Sequence, residues 1–205
     1  MYEDAAIGIL LAILALYVGK LWLNDYRAHC SGEDPQKILP GAVPAPLTAV
    51  LIAVLGALCL VIIETLGENL LAISEEQSDT TVFFLPVMLA AGIIEEIIFR
   101  GYLVIPNRGR IVLVAGIVLG SLAFTALHTQ YWISWSGPDA GWFAIEISLK
   151  SAWTLNLLFA NSLWFYFVRF THSNPGHSLL PCFAAHIFSN AAVFLVKLIQ
   201  GHVIF

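Results

Sequence analysis

Six stretches of about 20 predominantly apolar residues follow one another along this 205-residue chain, and each is long enough to cross a bilayer as a helix. They span 5–23, 46–66, 82–104, 111–128, 143–168 and 179–200. In hydrocarbon every backbone N–H and C=O must be satisfied within the chain, so a succession of this kind folds as helices packed into a bundle. Composition agrees: 11% of the residues are charged, where a soluble domain carries about 25%. The expected fold is an all-α, polytopic transmembrane bundle of about six helices. It forms a single membrane domain over 1–205.

The segments between the runs carry breakers. Pro35, Pro40, Gly41, Pro44 and Pro46 crowd the first loop, and the segment 74–81 is polar and acidic. Pro106, Asn107 and Gly109 mark a tight turn. Gly137, Pro138 and Gly141 interrupt the fourth loop, and Asn174, Pro175 and Gly176 close the fifth helix. Basic residues flank only the odd loops: Lys20, Arg27 and Lys37 at the first, Arg100, Arg108 and Arg110 at the third, and Arg169 at the fifth. The positive-inside rule then places the odd loops in the cytoplasm and both termini outside. The first run begins behind Glu3 and Asp4 rather than a basic segment, so it reads as a retained helix and not a cleaved signal. These features fit a bacterial cytoplasmic (inner) membrane.

A net charge of −5 without a basic stripe excludes a nucleic-acid partner. Cys30, Cys59 and Cys182 form no CxxC pair, and Cys59 and Cys182 are expected to serve as small core hydrophobes. Glu64 and Glu68 are expected at the interface. Glu146 and Lys150, four apart, are expected to pair on one helix face. Trp132, Trp135 and Trp142 are expected to form an aromatic belt. Gly116 and Gly120 make a GxxxG notch for close helix packing. His29, His172, His177 and His202 fall in loops or at ends and receive no role.

The third run holds Gly-Ile-Ile-Glu95-Glu96-Ile-Ile-Phe-Arg100. A charged residue at the centre of a membrane helix costs about 2.5–3.5 kcal/mol on insertion scales, so two adjacent carboxylates need a strong local reason. Glu96 and Arg100, four apart, can pair along the helix. Glu95 is turned by about 100° and faces a different partner. A structural ion pair accounts for Glu96 and Arg100 but leaves Glu95 unexplained. The fourth run ends in Phe124-Thr-Ala-Leu-His128, and the sixth contains His186-Ile-Phe-Ser-Asn190, with His186 and Asn190 one turn apart. Taken singly, His128 reads as an interfacial residue, and His186 with Asn190 as polar glue between helices. Taken together, carboxylates, imidazoles and a carboxamide supply a general base, a proton shuttle and oxyanion donors.

Glu-Glu-x-x-x-Arg at 95–100, Phe-x-x-x-His at 124–128 and His-x-x-x-Asn at 186–190 resemble the three motifs of the CAAX protease and bacteriocin-processing family (CPBP, or Abi). The resemblance covers 84–196, placing a catalytic core over 82–205 behind two variable N-terminal helices over 1–81. It implies an intramembrane glutamic endopeptidase related to the type II CAAX prenyl protease, acting on a membrane-tethered peptide or protein. Carried over, Glu95 activates water with His128 assisting, His186 and Asn190 stabilise the oxyanion, and Glu96 and Arg100 hold the site together or orient Glu95. No cofactor is expected. The alternative within the family is zinc held by Glu95, His128 and His186, which would supply three ligands and leave an open position. The chain has no HExxH helix pair, and the metal-free reading is preferred. CAAX processing itself is not implied; peptide maturation, bacteriocin self-immunity and processing of C-terminal sorting signals are all open, as is the oligomeric state. Outside this class, the competitors are a non-catalytic scaffold or immunity protein and a proton-coupled transporter. The transporter reading lacks a pseudo-symmetric second half.

One feature of the motifs is in tension with a regular bundle. Glu95 and His186 fall at similar depths, roughly 10–14 Å from the odd-loop ends of their helices by helical rise, whereas His128 lies ~25 Å along its own. Either the fourth helix leans, or a re-entrant segment over 101–110 lowers its start.

Overall fold

A computed structural model describes residues 2–33, 39–104, 108–134 and 143–205, with side chains from Gly8 onward. The chain forms six membrane-scale helical segments. They are α1 (Tyr2–Cys30), α2 (Leu47–Leu70), α3 (Phe84–Glu95), α4 (Arg110–Leu127), α5 (Leu149–Phe170) and α6 (Leu180–Gln200). α3 continues without a break into a π-helical segment, Glu96–Tyr102. The all-α membrane bundle expected from the sequence is therefore the fold, and the protein is an integral membrane protein. Gly8–Cys30, Leu47–Leu70, Arg110–Leu127 and Leu180–Gln200 are long and apolar enough to cross a membrane on length and composition alone. The other two, α3 with its π extension and α5, carry Glu95, Glu96, Arg100, Asn161, Ser162 and Arg169. The apolar character given up on those two helices is the chemical content of the bundle.

α2 packs along both α5 and α6, while α1 lies against α3. Close approach of α2 and α5 depends on two glycines: a Cβ at Gly56 would intrude into the Trp164 indole, and one at Gly67 into the Trp153 indole. Each indole also donates to an α2 carbonyl, Trp164 Nε1 to Ala53 O at 2.9 Å and Trp153 Nε1 to Glu64 O at 3.1 Å. The core joins Trp22 of α1, Ala53 and Ala57 of α2, Ile97 of the π-helical segment, Phe165 and Val168 of α5, and Cys182, Phe183 and Ala185 of α6. Large hydrophobics such as Leu55, Ile62, Leu119 and Ile199 face outward, as lipid solvation allows.

The odd loops gather at one end of the bundle, where Pro40, Val104 and His177 line one cavity. The even loops gather at the other. There Thr80–Thr81 pairs in parallel with Val203–Ile204 near the C-terminus. A short hairpin, Ile133–Ser134 with Ala144–Ile145, precedes α5. α5 therefore starts at Leu149 and not at 143: Ser148 caps it by accepting from Ser151 N, and Ser151 reciprocates.

Several local expectations are corrected. Glu68 is not interfacial but 2% exposed. α2 runs on to Leu70, and Lys150 and Gln77 satisfy both Glu68 oxygens. Lys150 pairs with Glu68 and not Glu146, because Glu146 precedes the helix and projects outward. Cys182 is buried, but Cys59 lies off the Ala49–Ala53–Ala57–Val61 face of α2 and is exposed. Of the two GxxxG glycines, Gly120 lies under the Tyr166 hydroxyl, whereas nothing packs on Gly116. Trp132 caps α4 by donating to Ala126 O at 3.0 Å. Trp135, Trp142, Lys37, Pro35, Gly137, Pro138, Gly141, Pro106 and Asn107 lie outside the described residues, as does part of the 101–110 segment.

Candidate active site

The π-helical segment starts at Glu96 itself. Its wider i→i+5 turn, with Leu103 N donating to Ile98 O at 2.9 Å, re-aims the side chains that follow the two carboxylates. Glu96 is fully buried. Its Oε1 accepts from Arg100 Nη1 at 3.1 Å and lies 2.8 Å from His186 Nδ1. Arg100, also fully buried, donates from Nη2 to Ser162 Oγ at 2.7 Å, and Ser162 Oγ donates to Ser121 Oγ at 3.0 Å. The guanidinium sits over the Phe124 ring, with 4.6 Å to its centroid, and is flanked by Phe165 and Tyr166. Burying one partner of such a pair alone would cost several kcal/mol, and the hydroxyls and aromatic faces add to the compensation, with Glu96 Oε2 and Arg100 Nε left buried without a hydrogen bond. One network thus ties together the π segment, α4, α5 and α6.

Glu95 stands apart from that network. Its side chain is 28% exposed, and its Oε2 lies 3.8 Å from His186 Nε2. Oε2 has no hydrogen-bond partner although it is buried. His186 is thus held between two carboxylates, with Nδ1 on Glu96 and Nε2 turned to Glu95. Its ring stacks on Phe165 with centroids 5.0 Å apart. With its Nδ1 proton given to Glu96, a neutral His186 presents a lone pair at Nε2, and a protonated one presents a donor. Gly92 brings α6 close behind this pair, where a Cβ would meet the His186 ring at 3.5 Å.

The structure gathers Glu96, Arg100 and Glu95 around His186: Glu96 bonds Arg100 and contacts His186 Nδ1, and Glu95 faces His186 Nε2. His128 is joined to them indirectly. It sits at the C-cap of α4 with Nδ1 2.8 Å from Phe124 O and its ring 4.7 Å from Phe124, which reaches His186 at 6.2 Å. α4 packs on α5 and its last turn reaches the site through Phe124, while Ile111 in its first turn is 85% exposed. Asn190 does not offer its donor to the Glu95–His186 pair. Its Nδ2 bonds Met88 O at 2.7 Å and fastens α6 to α3.

Sequence reasoning missed Ser162, Ser121 and the adjoining pair Asn161 and Ser189. Asn161 Nδ2 donates to Ser189 Oγ at 3.2 Å, leaving Asn161 Oδ1 buried without a partner. The signal was present as the Asn161-Ser162 dipeptide within an apolar helix, where polar side chains face the bundle interior. As for zinc, among the described residues no three His, Cys, Asp or Glu side chains converge as a ligand set. The Nδ1 contacts of His186 with Glu96 and of His128 with Phe124 O leave both Nε2 atoms available, but the residues as placed do not converge into a Glu95–His128–His186 cage.

The fold and this site define a helical membrane protein with a carboxylate–imidazole centre buried inside its bundle. A family model described as Type II CAAX prenyl endopeptidase Rce1-like matches residues 77–192, more than half of the chain, and the chain belongs to that family. The match includes Glu95, Glu96, Arg100, His128, His186 and Asn190. Membership places the protein among CAAX-type proteases. No curated protein and no solved structure matches the chain.

Proposed function

We propose that the protein is a glutamate-dependent intramembrane endopeptidase that hydrolyses peptide bonds of membrane-tethered substrates. The observation that carries this reading is the contrast between neighbouring carboxylates: Glu96 is fully buried and bonded through Oε1 to both Arg100 and His186, while Glu95 is 28% exposed and stands 3.8 Å from His186 Nε2 without a hydrogen bond. A structural pair has no use for the second group. A general base needs it free, within reach of a water and next to a group that can carry a proton.

In the proposed reaction Glu95 takes a proton from water as the water oxygen bonds the scissile carbonyl carbon. Electron density passes to the carbonyl oxygen, which the protonated Nε2 of His186 stabilises, with Glu96 supporting the imidazolium from Nδ1. The C–N bond then breaks, and the proton held on Glu95 passes to the leaving amine. His128 assists from the α4 cap. Asn190 contributes a donor to the oxyanion once it exchanges its bond to Met88 O for one to substrate. Glu96 and Arg100 position His186 and the π turn. No cofactor enters this scheme. The site lies toward the odd-loop end, and the distribution of Lys and Arg supports a cytoplasmic placement of that end, in keeping with a bacterial inner membrane.

The test is cleavage of a membrane-tethered peptide library in liposomes by the native protein and Glu95→Gln, each with and without chelator. Cleavage that Glu95→Gln abolishes and chelator spares is the expected result. Cleavage lost with chelator and restored by zinc would replace it with the metalloprotease reading. No cleavage of any peptide, with Glu95→Gln folded and functional in cells, would favour a scaffold.

A further inference from the structure

A second polar feature lies outside the Glu95–His186 centre. At the odd-loop end a cavity of about 360 Å³ is lined by Pro40, Tyr102, Val104 and Phe170 together with Arg169 and His177. Arg169 is 7% exposed, and its Nη1 is buried without a hydrogen-bond partner. Among the described residues no carboxylate pairs with it. Its one side-chain bond runs from Nε to His177 O at 3.3 Å. The C-terminal end of the α5 dipole favours a cation here, but by only about 0.3–1 kcal/mol at an exposed end, and burying a guanidinium costs more.

The surrounding loop is built to hold this arginine. Asn174, fully buried, donates from Nδ2 to Val168 O, Arg169 O and Ser178 O, and its Oδ1 accepts from Ser178 N. That clamp holds His177 at a φ of 50°, a left-handed conformation uncommon for a residue other than glycine. His177 Nδ1 lies 3.3 Å from Arg169 O and its ring stands against Phe170, so Nε2 is left for a ligand. An arginine and an imidazole thus line a cavity whose other walls are Pro40, Gly101, Tyr102, Val104 and Phe170.

We infer that this cavity binds the phosphate of an anionic phospholipid headgroup. A planar guanidinium fork matches phosphate oxygens, and an Nη donor stands unused. Arg169 is the penultimate residue of α5, so its charge sits at the depth where a membrane-spanning helix meets the headgroups. The apolar walls suit the glycerol and upper acyl carbons. Neither Glu95 nor His186 lines the cavity, which separates it from the peptide-cleaving centre and sets a lipid ahead of a substrate carboxylate.

The test is native mass spectrometry of the purified full chain supplemented with phosphatidylglycerol, phosphatidylcholine or inorganic phosphate. It compares the native protein with Arg169→Gln, Arg169→Lys and Arg110→Gln, the last removing an exposed cation at the same end. The native protein should retain phosphatidylglycerol over phosphatidylcholine. Retention should fall about tenfold in Arg169→Gln, equivalent to ~1.4 kcal/mol, and about threefold in Arg169→Lys, which keeps charge but not the fork. Arg110→Gln should retain lipid as the native protein does. If Arg169→Gln does not fold, the Arg169→Lys result decides. Equal retention in native and Arg169 variants overturns the assignment, as does an equal loss in Arg110→Gln or binding of inorganic phosphate without lipid. Unchanged retention with a raised KM for peptide cleavage would transfer the arginine to substrate binding and overturn it too.

Discussion

Two charged clusters occupy opposite ends of this bundle, and they are built differently. At the even-loop end Glu68 has both oxygens satisfied: Lys150 of α5 pairs with Oε1, and Gln77 Nε2 donates to Oε2 at 2.8 Å. Nearby, Lys197 donates to Ser78 O at 2.6 Å, and His202 Nδ1 lies 3.1 Å from Asp79. These contacts tie α2, α5 and the C-terminal end of α6 to the 74–81 loop. At the odd-loop end Glu96 and Arg100 pair through Oε1 and Nη1, with Glu96 Oε2 and Arg100 Nε buried without a hydrogen bond, whereas neither Glu95 nor Arg169 forms a hydrogen-bonded ion pair among the described residues. Buried charges paired with an opposite charge hold helices together. Those without one, beside a cavity or an imidazole, are where the proposed water, substrate or lipid would complete them.

The comparison sharpens under substitution. The largest effect is expected from Glu95→Gln, which should lower cleavage by about 10²–10⁴-fold, the range of a lost general base, while leaving the unfolding midpoint nearly unchanged. Next is Glu96→Leu, which leaves Arg100 buried without its carboxylate and should cost about 3–5 kcal/mol of stability in denaturant unfolding, with activity lost as His186 is released. Glu68→Leu should destabilise the even-loop end by a few kcal/mol, yet cleavage per folded molecule should persist. The double variant Glu68→Leu with Lys150→Met should regain most of that loss, because an apolar pair replaces an ion pair at little net cost. Ser162→Ala removes a hydroxyl from Arg100 Nη2 and should cost about 1.5–3 kcal/mol. The smallest effect is Asp79→Asn at the half-exposed His202 pair, under about 1 kcal/mol and fading with added salt.

What the sequence revealed and what it hid divides along the same line. Helix number, the Glu96–Arg100 pair and the distinct position of Glu95 are legible because they depend on local spacing, apolar runs of fixed length and an i,i+4 step. The partners of Glu68, Arg100 and His186 are not, because Lys150, Ser162 and Glu96 lie 82, 62 and 90 residues away. Spacing therefore suggested Glu146 for Lys150, where tertiary packing chose Glu68. The π turn is equally hidden, since the lone glycine of Glu-Ile-Ile-Phe-Arg-Gly-Tyr is tolerated in a regular helix and does not mark a change of turn. The depth of His128 was recognisable as a mismatch in length, but its link to the site through the Phe124 ring was not. Arg169 was visible as a loop-flanking positive charge. Its burial against the 171–178 loop was not.

The central claim is that Glu95 is spared for chemistry while Glu68 is used for structure. The most direct measurement is cleavage and unfolding on the same samples of the native protein, Glu95→Gln and Glu68→Leu in liposomes. The account predicts a crossed result: Glu95→Gln folded and inactive, Glu68→Leu destabilised and active per folded molecule. A Glu95→Gln protein that still cleaves, or one whose activity falls only in step with its stability, would contradict it.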